Sequence, residues 1–141
     1  MPRLSLAFFS VGALCGLFGM GWGAFMAAKE DFTLAPAHAH LNLLGWVALS
    51  IMGTFYALAG RRAPLRLGWI NFAISTLGIV VIIPSLAMML AGDKAATPFV
   101  QAGTMIVILG MLTFVAAILS LWAAPRGVAA SVGEGLRQPA E

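Results

Sequence analysis

Apolar residues run along this chain in four blocks, at about 6–28, 37–58, 67–90 and 99–122. Each block holds 22 to 24 residues, and roughly 20 apolar residues in a helix cross the hydrocarbon core of a bilayer. The separators are short and polar: Lys29-Glu30-Asp31, Gly60-Arg61-Arg62-Ala63-Pro64-Leu65-Arg66, and Gly92-Asp93-Lys94. The pattern predicts an all-α integral membrane four-helix bundle over residues 1–124. A Gly-, Ala- and Ser-rich stretch, 125–141, follows as a flexible tail.

Composition agrees with the pattern. Hydrophobic residues make up 61% of the chain and charged residues 9%, against roughly 25% charged in soluble domains. The net charge of +3 would suggest nucleic acid in a soluble protein. Here the basic residues flank apolar runs, where they act as topology determinants, so nucleic-acid binding is excluded. The first block, preceded by Arg3, is too long for a signal peptide and is read as a retained membrane helix.

Arg61, Arg62 and Arg66 occupy the second loop, and Arg3, Arg126 and Arg137 lie toward the termini. Loops rich in Lys and Arg stay on the cytoplasmic side. Both termini and the second loop are therefore expected in the cytoplasm, and the protein in a bacterial inner membrane as a multi-pass chain. Cys15, the single cysteine, lies within the first block and reads as a small buried hydrophobe. Gly12, Gly16, Gly19 and Gly23 recur at three- and four-residue spacing in the same block, which permits close approach of a second helix. Pro84 is expected to kink the third helix.

The candidate chemistry lies in Pro36-Ala37-His38-Ala39-His40-Leu41-Asn42, which holds both histidines of the chain. Ionisable side chains in a membrane segment are costly and mark functional sites by default. Neutral imidazole is the commonest biological metal ligand. Pro36 suits a first helical turn, which places both histidines near the outer end of the second helix. Residues two apart on a regular helix differ by about 200° around its axis. His38 and His40 then face opposite ways and cannot bind one metal together.

Each such site needs a further ligand, and the chain has no third histidine. Facing helices commonly complete sites of this kind, which points to an oligomer. Two plainer readings stand beside this one. The histidines can serve only as hydrogen-bonding residues at the membrane interface, or an irregular first turn can bring both rings to one copper ion.

The run AHAHLNLLGWVALSIMGTFYAL resembles the tenth transmembrane helix of subunit I of heme-copper oxidases, above all the cbb-type enzymes and their nitric oxide reductase relatives. There a His-x-His pair near the outer end of the helix ligates two hemes, the first His the high-spin heme and the second the low-spin heme. The matching residues here are His38 and His40, and Gly45-Trp46 and Gly53-x-x-Tyr56 also fit. His40-Leu41-Asn42 further resembles the His-x-Asn of the family's second helix, which supplies the opposite low-spin ligand. The likeness covers about 22 of the 141 residues. The family subunit has twelve helices in three arcs of four, so this chain matches one arc in size.

What the resemblance implies is a membrane-bound heme b protein, with heme iron held through His38 and His40 of adjacent protomers, and heme favoured over copper. A homotrimer would rebuild the three-arc plan, and a dimer is the second choice. With both axial positions filled, the heme would serve electron transfer. Its surroundings, with Trp46 and Phe55 among the residues that can border it, would tune the potential. The alternatives are a heme or copper carrier or gas sensor with an open coordination position, and a cofactor-free accessory or assembly protein.

The chain also departs from the family. It lacks histidines for the copper site, and all five acidic residues lie outside the apolar blocks. Tyr56, the only tyrosine, sits far from the histidine pair. Oxygen reduction coupled to proton pumping is therefore not expected of this chain alone.

Overall fold

A computed structural model describes residues 1–123, and among them the regular structure is all helical. Four helices are long and apolar enough to cross a membrane. They are α1 (Arg3–Lys29), α2 (Ala35–Arg62), α3 (Leu65–Leu90) and α4 (Thr97–Ala123). Each helix covers one of the four apolar blocks and runs one to three residues further at most ends. The expected tail 125–141, with Arg126 and Arg137, lies outside the described residues.

Local chemistry sets the ends. Lys29 in the last turn of α1 complements the helix dipole. Glu30 then turns left-handed, at φ 54°, and its amide and the next one close back on Ala27 and Met26. Pro36 and Pro98 sit in the first turns of α2 and α4, where a missing N–H costs no hydrogen bond. Asp31 Oδ1 accepts the Thr33 amide at 3.0 Å. Hydrogen bonds from the Thr33 side chain and backbone hold the Asp31 carboxyl below the usual carboxylate range. Gly60 (φ 54°) closes the main part of α2, and Gly92 (φ 104°) turns the chain after α3. Both use backbone angles open to glycine. Helix α3 continues through Pro84 to Leu90. Just beyond the proline, Ser85 Oγ donates to the carbonyls of Val81 (2.7 Å) and Ile82 (3.2 Å).

Helix α2 is not uniform. Residues Ala35–His40 are α-helical, Leu41–Ala48 form a wider π turn, and Leu49–Ala59 return to α geometry. The reason shows in its packing on α1. Gly12, Gly16, Gly19 and Gly23 of α1 lie in turn against Ser50, Trp46, Asn42 and His38 of α2. The α2 members recur at every fourth residue. On a regular α-helix a four-residue step overshoots one turn by about 40°, and three such steps would carry His38 off the seam. The wider turn absorbs that drift and keeps all four on one line.

A second glycine seam joins α3 to α4, with Gly78 on Val107, Gly103 on Ile82 and Gly110 on Ser75. Both seams fit the expectation that small residues allow close helix approach, and here they act within one chain.

The two hairpins meet toward the arginine-rich end. Phe8 stacks on Tyr56 at 5.4 Å, and Phe55, Phe72 and Phe114 close around them edge to face. Beside this cluster a polar node is sealed in the bundle. Tyr56 O–H donates to Asn71 Oδ1 at 3.2 Å. Asn71 Nδ2 donates to the Gly110 carbonyl at 2.7 Å, and reaches Thr113 Oγ1 at 3.1 Å and Ser75 Oγ at 3.2 Å. Asn71 is completely buried, so one side chain ties α2, α3 and α4 together.

Candidate functional site

At the opposite end of the bundle, His38 and His40 are the fourth and sixth residues of α2. At 1.5 Å per residue they lie roughly 5 to 8 Å from its start. Because Ala35–His40 is a true α-helical turn, the expected separation of the two rings holds. His38 is half-buried and faces α1, whereas His40 is exposed on the outer surface of α2.

His38 sits in a niche made by the lack of a side chain opposite it. A Cβ on Gly23 would come within 2.9 Å of its Cε1. The Trp22 ring meets the imidazole edge to face, with centroids 6.4 Å apart. Asn42, one turn on, donates Nδ2 to the His38 carbonyl at 3.0 Å. The same amide nitrogen lies 3.4 Å from both ring nitrogens. That equal spacing does not aim it at either lone pair, so it braces the ring without tying up one nitrogen. Asn42 is itself seated against Gly19. The seam thus fixes His38 from two sides.

His40 has a different arrangement. Its Nδ1 lies 2.8 Å from the Pro36 carbonyl oxygen. A carbonyl can only accept, so Nδ1 carries a proton, and in the neutral ring Nε2 is then the nitrogen with the lone pair. Histidines that ligate a metal through Nε2 commonly have Nδ1–H held in this way by a backbone carbonyl, which orients the ring. A ring held in this way leaves Nε2 as the nitrogen that could hold a metal, heme iron included. Histidine is the usual protein donor to heme iron.

Among the described residues no three His, Cys, Asp or Glu side chains gather as a site for a bare metal ion. The divergent rings likewise do not bring His38 and His40 to one copper ion.

Other residues singled out from sequence have packing positions. The Trp46 ring covers Gly16, and a Cβ there would meet it at 3.0 Å. Phe55 belongs to the aromatic cluster with Tyr56 and Phe114. Cys15 is half-buried against Gly45. Two contributors are not evident from sequence pattern: the Pro36 carbonyl, which any residue would supply, and the niche at Gly23. The four-residue spacing from Pro36 to His40 is the one signal that points to the first. No family model matches this chain, and neither a curated protein nor a solved structure matches it.

Proposed function

We propose that this is a membrane-bound heme b protein of the electron-transfer type, with iron held by histidine donated from adjacent copies of the chain. The observation that carries the reading is His40, exposed on α2 with Nδ1–H given to Pro36 and Nε2 free. With Nδ1 on the Pro36 carbonyl, Nε2 is the nitrogen of this outward-facing imidazole that still calls for a partner on an apolar span, and a heme iron would suit it. When bound between two imidazoles, heme b supplies reversible one-electron exchange with no open position for substrate.

The residues of the chain then have defined tasks. His40 would hold the iron through Nε2, and the Pro36 carbonyl fixes the direction of its ring. The apolar surface of α2 beyond it, including Leu43, Val47 and Ile51, excludes water from the site. Among the described residues Glu30, Asp31 and Asp93 lie between helices and none lies within a span. That distribution supports electron transfer over proton pumping. The arginines of the second loop support a bacterial inner-membrane orientation with this loop in the cytoplasm and the histidines toward the outer side. The single-arc relation to heme-copper oxidases belongs to the same reading.

Purified protein expressed with ample heme precursor should show sharp, split low-spin bands when reduced, and a pyridine hemochrome assay should identify heme b. Carbon monoxide should leave the reduced spectrum unchanged. A carbon monoxide shift would move the assignment to an open-site sensor or carrier. A colourless protein would end it.

A further inference from the structure

The two histidines are not equivalent, and the difference bears on how a bis-imidazole site is completed. A ring in which each chain gives one histidine to each neighbour needs both rings on outer surfaces. Only His40 meets that condition. His38 is half-buried against its own α1, with Gly23 under its Cε1, Trp22 at its edge and Asn42 braced against it. Turning it outward would empty the niche over Gly23 and give up its contact with Trp22.

We infer that the second axial ligand is His40 of a second copy, so that two chains related by a two-fold axis clamp one heme between their α2 helices. This rests on the heme reading above and narrows it from two candidate ligands per chain to one. The symmetry follows from the single outward donor. Two copies in one membrane share an orientation, so an axis along the membrane normal brings both His40 rings to the same depth. A two-fold axis uses the same patch on each chain and closes after two. One chain offers one outward imidazole, and the site is incomplete without the partner.

The surface of α2 suits this arrangement. Leu43, Val47, Ile51 and Leu58 continue the exposed side of the helix below His40 toward the arginine-rich end, at 62, 41, 58 and 83% exposure. They present apolar side chains with no charge to keep two α2 helices apart. The inward side of the same helix is occupied by the glycine seam. His38 becomes a positioning residue, which holds the first turn of α2 on α1 and so sets the direction in which His40 points.

The test combines native mass spectrometry in mild detergent with absorption and electron paramagnetic resonance spectra of three proteins: the parent, His38→Ala and His40→Ala. Circular dichroism confirms that each remains helical. The parent should carry one heme per two chains. His40→Ala should lose heme completely while keeping its helix content. His38→Ala should retain the bis-imidazole spectrum at the same two-to-one ratio, with at most a shift in resonance from reoriented rings. His40→Gln is the second variant should His40→Ala fail to fold, and it too should lack heme. A trimer with three hemes, one heme per chain, or loss of the low-spin spectrum in His38→Ala would overturn the two-fold clamp and leave the heme reading standing. A parent protein that binds no heme would overturn both.

Discussion

Asn71→Leu should destabilise the bundle by roughly 2 kcal/mol, combining lost interhelical hydrogen bonds of about 0.6 kcal/mol each with the penalty for a buried hydroxyl left without an acceptor. Leucine is close in volume, so the loss comes from polar pairing more than from a void. Asn71 gives one hydrogen of Nδ2 to the Gly110 carbonyl and directs the other to Thr113 and Ser75, while its Oδ1 accepts from Tyr56. The substitution strips acceptor and donors at once and strands the Tyr56 hydroxyl among phenylalanine rings.

A double-mutant cycle isolates that coupling. Tyr56→Phe alone should cost less, because its ring still stacks on Phe8 and meets Phe55 and Phe114. Adding Tyr56→Phe to Asn71→Leu should cost little further, since the stranded hydroxyl is gone. Denaturation by sodium dodecyl sulfate, followed by circular dichroism, measures all three. Strict additivity would show that the node is four neighbours in one place and not a coupled unit.

The number of helices and their approximate ends were legible because they rest on long-range composition and on short-range chemistry. A span needs about 20 apolar residues, and Pro36, Pro98, Gly60 and Gly92 punctuate where that need ends. The glycine spacing of α1 was legible as a sign of close packing, and its partners lie along one face of α2. The divergence of His38 and His40 followed from helix geometry alone.

Two features were not legible, for physical reasons. The π turn over Leu41–Ala48 is made of ordinary helix formers. Its width answers the glycine seam of another helix, which local sequence does not contain. For the same reason the regular helix assumed from sequence gives the right angle between His38 and His40, but not their direction relative to Tyr56 at the far end of α2. Nor did sequence show which histidine faces inward, since that is decided by Gly23 on α1. The Asn71 node left a fainter signal. A lone asparagine within an apolar span has to find partners, but only the packed structure says that three helices supply them.

Gly103→Leu should be the most damaging substitution of a glycine within the bundle, on the order of 3 kcal/mol or more as an overpacked contact. A Cβ at Gly103 would lie 2.8 Å from Ile82 Cα and 2.9 Å from Ile82 N. Those are backbone atoms, which cannot rotate aside as the end of a side chain does, so α3 and α4 have to part. Their separation would also draw the Gly110 carbonyl away from Asn71, so the polar node should weaken together with the seam. Gly21→Leu is the matched control, on a helix of similar length and with the same change of residue. Nothing lies within 4 Å of a Cβ at Gly21, and leucine is the better helix former by up to about 1 kcal/mol. That variant should hold or gain stability. The two are compared by their unfolding midpoints in sodium dodecyl sulfate. Equal losses would mean that helix flexibility, and not the close approach of α3 to α4, is what these glycines supply.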